Sequence, residues 1–112
     1  MSIITGPINF KGQKNTAFKI TCTGELTGTT ALLIRDEIKA ALKNNYPTIY
    51  IDTKAVQEAD LSGVNEVIHT HYTLCGSSCK LVFLYRRNSV VEKWVNTTGL
   101  DKFIETAIVP AN

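Results

Sequence analysis

The stretch Asp60-Leu61-Ser62-Gly63-Val64 lies between a short strand pattern and a long helical pattern. It places a hydroxyl in the first turn of the predicted helix, beside a glycine that leaves the backbone open to close approach. Backbone N–H groups at a helix start lack intrahelical partners, and the helix dipole favours negative charge there. A phosphate on Ser62 would therefore be compatible with the fold and would change the surface that a partner meets. The alternative left open by these five residues is that Asp60 or Ser62 only caps the helix.

Strand patterns flank this stretch on both sides, and the helix between them is amphipathic. The helix begins near Ser62, is expected to end at Gly76, and has one apolar face. That face consists of Val64, Val67, Ile68, His71, Tyr72 and Cys75. Before the stretch, residues 48–52 form a short strand rich in β-branched and aromatic side chains. After it, residues 80–85 are almost wholly apolar, which predicts a strand covered on both faces.

The N-terminal part of the chain predicts a hairpin and then a helix. Ile4, Ile8 and Phe10 indicate a first strand, residues 12–15 a turn, and the alternating Phe18, Ile20 and Cys22 a second strand. The helix that follows has an apolar face of Ala31, Ile34, Ile38, Ala41 and Leu42. It is expected to end before Pro47, because a residue that precedes proline resists the helical conformation.

The C-terminal part predicts a third helix and a last short strand. Ser89 and Glu92 have the spacing of a capping box, and Gly99 followed by Leu100 fits a C-terminal cap. The face between them consists of Val91, Trp94, Val95 and Thr98. Residues 101–105 predict a short turn or helix, and residues 108–109 a short strand.

The order of these elements predicts an α/β fold. Alternating helices and strands imply parallel strand pairs, and the leading hairpin adds an antiparallel pair. We therefore expect a mixed sheet of four or five strands packed with three to four helices. With 112 residues, the chain is expected to form one domain over residues 1–112.

Composition argues against several functional classes. The net charge is only +2 and the basic residues are scattered, so neither a nucleic-acid partner nor a membrane surface is indicated. No apolar run approaches the roughly 20 residues that span a bilayer, and residues 1–7 lack the features of a signal peptide. Three cysteines, an odd number, argue against a secreted disulfide scaffold. These observations predict a cytoplasmic protein.

Four motifs in order make the chain resemble the STAS domain of bacterial anti-sigma-factor antagonists. They are Gly24-Glu25-Leu26, Ile49-Tyr50-Ile51-Asp52, Asp60-Leu61-Ser62-Gly63-Val64 and Thr98-Gly99-Leu100-Asp101-Lys102-Phe103. The resemblance covers roughly residues 17–104 and implies the STAS fold. In that family the serine immediately before the motif's glycine is phosphorylated, and the corresponding residue here is Ser62. The third motif departs from the family pattern, because Leu61 replaces a serine and Glu58-Ala59 replaces two apolar residues.

The resemblance implies a binding module that is not an enzyme and needs no cofactor or metal. Its partner would be a serine kinase that is also an anti-sigma factor, so that binding frees a sigma factor and phosphorylation of Ser62 breaks the complex. The predicted partner-binding residues are Asp60, Leu61, Ser62, Gly63, Asn65 and Glu66. The altered motif leaves open a second function, as an accessory or scaffold subunit of a lipid-transport ATPase complex or a stress-signalling assembly. The oligomeric state is left open.

Other residues that carry reactive groups suggest weaker alternatives. Ser62 lacks the glycine two positions earlier that a hydrolase nucleophile elbow requires, because Asp60 is there. His71, Cys75 and Cys79 are four residues apart, but three ligands without a fourth make a poor zinc site. A redox pair of Cys75 and Cys79 is a further alternative, although their spacing is not Cys-x-x-Cys.

Asp52 and the pair Arg86-Arg87 stand at the ends of apolar strands. We expect them either to share one edge with Ser62 or to be solvated strand ends.

Overall fold

The computed structural model describes residues 2–10, 13–75 and 79–110. Its five strands and three α-helices form an α/β fold with one sheet, as the sequence predicts. In chain order the elements are β1 (Ser2–Phe10), β2 (Gln13–Leu26), α1 (Gly28–Lys43), β3 (Thr48–Ala59), α2 (Leu61–Thr70), β4 (Lys80–Arg86), α3 (Val90–Thr98) and β5 (Glu105–Val109). A π-helical turn (His71–Cys75) follows α2, and a 3-10 turn (Leu100–Lys102) follows α3.

The sheet has the order β1-β2-β3-β4-β5. β1 and β2 pair antiparallel, whereas each later pair of neighbours is parallel. The predicted hairpin and mixed sheet are therefore confirmed. Of the turn predicted at residues 12–15, Gly12 lies outside the described residues, and residues 13–15 belong to β2 instead. They join the strand because Gln13 is in register with Phe10 of β1.

The three helices pack against one face of the sheet. A single core cluster unites buried residues of α1, α2 and α3 with alternate residues of the central strands, for example Ile49 and Ile51 of β3 and Leu81 and Phe83 of β4. The expectation that β4 is covered on both faces is wrong in part. Val82 lies outside this cluster on the opposite face, where it is only 4% exposed between its register neighbours Tyr50 and Glu105. Neighbouring strands thus bury Val82, and no helix of the described ranges contributes to a core on this face of the sheet.

β3 is much longer than the predicted strand, which ended at Asp52. It continues to Ala59 because β2 continues beside it, with two irregularities in register. Gly24 has a φ of 86° next to the second irregularity, a conformation that favours glycine. Asp52 is consequently seven residues before the end of β3, a separation of roughly 20 Å along an extended strand.

The second helix changes its geometry after Thr70. Val64, Val67 and Cys75 are buried as predicted, and Ile68 and His71 are half-buried. Tyr72, which was expected on the buried face, is 61% exposed, whereas Thr70 is buried. The physical reason for the exposure of Tyr72 is the π-helical turn at His71–Cys75, because its wider turn shifts side chains off the 3.6-residue period, whereas Thr70 precedes the turn and follows buried Val67 by three residues. The predicted end at Gly76 lies outside the described residues.

The first and third helices have the predicted faces and ends. The face of α1 and the apolar face residues of α3 are buried or pack against the core, Thr98 is half-buried, and α1 ends at Lys43 with Asn44 as its C-cap. Ser89 Oγ accepts a hydrogen bond from the Glu92 backbone N–H at 3.2 Å, and Glu92 Oε1 accepts one from Asn88 N–H at 2.9 Å. Gly99 ends α3 with a φ of 73°, and Leu100 beside it is buried.

Candidate functional site at the start of the second helix

The junction between β3 and α2 is held by hydrogen bonds from three sides. The backbone N–H of Asp60 donates to the Leu26 carbonyl of β2 at 3.2 Å. Trp94 Nε1 of α3 donates to the Ala59 carbonyl at 3.0 Å. Asp60 Oδ1 accepts from the Gly63 backbone N–H at 2.7 Å, so Asp60 is the N-cap of α2. These contacts give the first turn of α2 a defined position on the end of β2.

Gly63 allows this close approach. It is buried, and a Cβ atom at this position would lie 2.2 Å from the carbonyl oxygen of Leu26 and 2.6 Å from its carbonyl carbon. Any side chain would therefore collide with backbone, which cannot move as a flexible side chain can. The glycine beside the serine is required here by packing.

Ser62 is exposed in the first turn of α2. Its hydroxyl is not needed for the N-cap, because Asp60 already supplies that hydrogen bond. The start of α1 lies beside it, since a Cβ built on Gly28 would be 3.4 Å from Ser62 Cβ. Leu61, the preceding residue, is also exposed, at 47%. A modifying enzyme or a docking protein can thus reach Ser62 and Leu61 together.

The predicted partner-binding residues do not all lie on the surface. Asp60, Leu61, Ser62 and Asn65 are exposed and Glu66 is half-buried, whereas Gly63 is buried beneath them. We call Asp60, Leu61, Ser62, Asn65 and Glu66 the Ser62 surface. Gly63 supports this surface by its lack of a side chain.

Residues of α1 continue the Ser62 surface, and the motif did not indicate them. Arg35 Nη1 lies 3.8 Å from Glu66 Oε1 across the boundary between α1 and α2. Gly28, Leu32 and Arg35 follow the spacing of one helical face, and Leu32 between the two contacts is 50% exposed. In the sequence, Leu32 lies outside the apolar face predicted for α1. A leucine in such a position is the signal that could have indicated that α1 takes part in this surface.

Asp52 lies inside β3, seven residues before its end, so the alternative that it shares an edge with Ser62 is wrong for this residue. The Asp52 side chain is 4% exposed within β3, where Oδ2 lies 3.2 Å from Lys19 Nζ and 3.5 Å from Lys54 Nζ. Arg86 instead lines an open groove of about 400 Å³ with Lys54 and Gln57. The reason for the position of Asp52 is the extra length of β3, which continues to Ala59 before α2 begins.

The three cysteines are buried free thiols. Burial raises the pKa of the Cys22 thiol to about 11, and it also raises the pKa of Cys75 and Cys79, which hydrogen-bond to each other. Thiols with raised pKa values are poor nucleophiles and poor metal ligands. Among the described residues, no three histidine, cysteine or acidic side chains are grouped so that they could hold a metal ion.

These thiols predict how stability depends on pH. Their pKa values are higher in the folded than in the unfolded chain, so unfolded chains lose thiol protons first as the pH rises. We therefore expect the free energy of unfolding in urea to fall as the pH rises above the ordinary thiol pKa of about 8.5. Cys22→Ala should weaken this pH dependence. A dependence that is the same with and without Cys22 would contradict the assignment to this thiol.

Comparison with known proteins supports both the fold and the family motifs. The family model for the STAS domain matches residues 7–110. No curated protein matches the chain significantly in sequence. The longest helix has 16 residues, and no helix in the described ranges has the length and hydropathy for a membrane crossing.

Solved structures share this fold at low sequence identity. An anti-sigma factor antagonist from Mycobacterium paratuberculosis is 22% identical, with a TM-score of 0.70 over 94% of this chain and 85% of that chain. The anti-sigma factor antagonist SpoIIAA in its unphosphorylated form is 20% identical, with a TM-score of 0.71 over 99% of this chain and 89% of that one. The Bacillus cell fate determinant SpoIIAA in its phosphorylated form is 19% identical, with a TM-score of 0.65 over 99% and 92%. The mixed sheet with helices described above is therefore the fold of these antagonists.

Proposed function

The chain belongs to the STAS domain family, and we propose that it is a cytoplasmic binding module that acts as an anti-sigma-factor antagonist. In this proposal, the unphosphorylated protein binds a serine kinase that is also an anti-sigma factor, and a sigma factor is released. Phosphorylation of Ser62 then breaks the complex. The observation that carries the proposal is the exposed Ser62 in the first turn of a helix that Asp60 caps.

The modification itself would use the kinase's ATP. The bond from Ser62 Oγ to the γ-phosphorus forms, the bond from that phosphorus to the ADP oxygen breaks, and the hydroxyl proton passes to a base of the kinase. The chain contributes an accessible hydroxyl and catalyses nothing. The new phosphate carries a charge of about −1.5 to −2 at pH 7.

Phosphorylation should change binding far more than folding. The phosphate gains from the helix dipole and from free N–H groups at the start of α2, while Asp60 and Glu66 nearby repel it. These opposite effects on the fold offset each other in part. At a docked interface the same charge displaces close contacts and leaves a buried anion, which costs several kcal/mol.

The exposed leucines support a docking role for the same region. Leu61 and Leu32 are each about half exposed, next to the polar Asn65 and Glu66. Protein interfaces commonly combine apolar residues at the centre with a polar rim. We therefore propose that the Ser62 surface and Leu32 form the interface with the kinase.

A comparison of charged and uncharged variants tests this function. We expect Ser62→Ala to retain a serine kinase in pull-downs from the native host, and Ser62→Asp to bind it at least about tenfold more weakly, or about 1.4 kcal/mol. Asn96→Asp is a matched control, because it adds the same charge at an exposed position on α3. Equal recovery of the kinase by Ser62→Ala and Ser62→Asp would contradict the proposed switch.

The accessory-subunit function has one observation in its favour, since the exposed Leu61 replaces a polar serine of the antagonist motif. The same pull-down distinguishes it. Recovery of a transporter ATPase in equal amounts by all three variants would support an accessory subunit in a lipid-transport complex and leave Ser62 without a regulatory role.

A further inference from the structure

Arg35 lies at the boundary of α1 and α2, and its guanidinium makes only a weak ion pair there. Its closest acidic contact is Nη1 to Glu66 Oε1 at 3.8 Å, which is long for a charge-assisted hydrogen bond. Its Nε atom is buried and has no hydrogen-bond partner within the described part of the chain. A buried donor without a partner costs free energy, so this guanidinium has hydrogen-bonding capacity that the unmodified protein does not use.

The two helices bring this cation to Glu66, which lies one helical turn after Ser62. Gly28 lies against Ser62, and Arg35, two helical turns later on the same face of α1, reaches Glu66. Ser62 and Glu66 are four residues apart on α2, and such positions have Cβ atoms about 5–6 Å apart. A phosphate on Ser62 Oγ extends further from the helix than the hydroxyl. It would therefore lie within the reach of a long arginine side chain that starts at this boundary.

We infer that Arg35 binds the phosphate of phosphorylated Ser62 and releases Glu66 when it does so. This inference rests on the function proposed above. A phosphate is the better partner, because it carries up to twice the charge of a carboxylate, while both groups can accept two parallel hydrogen bonds from a guanidinium. The buried Nε donor is one of the groups available for this fork. Glu66 is half-buried beside solvent and can turn toward water.

The exchange gives phosphorylation a second effect on the docking surface. Besides the new phosphate, the partner meets a Glu66 that has lost its cation and an arginine that is drawn toward Ser62. The surface that Arg35 and Glu66 form has no net charge before phosphorylation and becomes anionic after it. Arg35 is a positioning residue: through it, phosphorylation of Ser62 changes the charge of a neighbouring part of the interface.

Phosphoserine inserted at position 62 during translation tests the inference without any kinase. The pKa of the phosphate, measured by ³¹P NMR titration, should be at least about 0.5 unit lower with Arg35 than with Arg35→Gln. The ordinary value of such a group is about 6. In ¹⁵N NMR spectra, the Arg35 Nε–H signal should shift on phosphorylation. Arg87→Gln, which removes an exposed arginine at the end of β4, should leave the phosphate pKa unchanged.

A double-mutant cycle with Glu66→Gln separates the exchange from simple charge effects. Loss of Glu66 should lower the phosphate pKa more when Arg35 is present than in the Arg35→Gln background, because only then can the guanidinium be released. Arg35→Lys keeps the charge without the fork and should give an intermediate pKa. If the phosphate titrates at the same pH with and without Arg35 in folded proteins, the inference is overturned. The pull-down result with Ser62→Asp would stand regardless, so the two proposals fail separately.

Discussion

Gly63→Ala is expected to destabilise the protein by about 3 kcal/mol or more. Helix propensity alone predicts the opposite, because alanine is favoured over glycine inside a helix by about 1 kcal/mol. The added Cβ, however, would lie 2.2 Å from the Leu26 carbonyl oxygen. Relief of this contact requires α2 to move away from the end of β2. The steric term therefore outweighs the propensity gain, and urea unfolding monitored by circular dichroism measures the difference.

Gly6→Ala is the matched control for this substitution. A Cβ at Gly6 meets no heavy atom within 4 Å, so we expect a change within about 0.5 kcal/mol. A Gly63→Ala protein as stable as the parent would show that the junction between β2 and α2 is looser than described. If Gly63→Ala is too unstable to purify, the expected loss is still evident from the soluble yield beside Gly6→Ala.

Phe83→Ala should cost about 3–5 kcal/mol of unfolding free energy. Phe83 is fully buried in β4, and its ring contacts Tyr85 with centroids 6.2 Å apart. It is among the largest fully buried side chains of the core that the three helices cover. Truncation removes apolar burial and leaves a cavity that the flanking strands cannot fill. Urea unfolding again gives the magnitude, and Phe83→Leu provides a milder variant if the alanine protein does not fold.

Leu84→Ala tests which face of the sheet carries the core. Leu84 is the next residue of β4, points to the opposite face and is only half-buried. We expect it to cost less than half as much as Phe83→Ala, because few atoms surround it on that face. Equal costs for the two substitutions would indicate a second covering layer, as the apolar pattern of residues 80–85 had suggested.

Predictions from the sequence were accurate wherever neighbouring residues determine the structure. The cap at Ser89, the left-handed end at Gly99 and the apolar face of α1 were all predicted, because capping and helical periodicity depend on side chains within one or two turns. The order of strands and helices also indicated the mixed parallel sheet. The predicted N-terminus of α2 is likewise local, since Asp60 caps the helix three residues before Gly63.

Predictions were wrong where a distant part of the chain decides the conformation. β3 continues to Ala59 because β2 pairs with it, and nothing within residues 53–59 alone indicated a strand. The exposure of Tyr72 depends on a π-helical turn that the 3.6-residue pattern does not contain. The sequence left open whether Asp52 shares an edge with Ser62 or is a solvated strand end, and its buried ion pairs with Lys19 and Lys54 fit neither alternative.

By itself, the sequence determined the class of fold, the family and the position of the candidate serine in a helix start, since these depend on short motifs and local periodicity. Only the tertiary structure decided which residues of α1 lie beside the start of α2. Gly28 beside Ser62 and Arg35 beside Glu66 come from α1, more than 25 residues earlier in the chain. Their approach results from the packing of two helices on a shared sheet face, a contact that no pattern within either helix specifies.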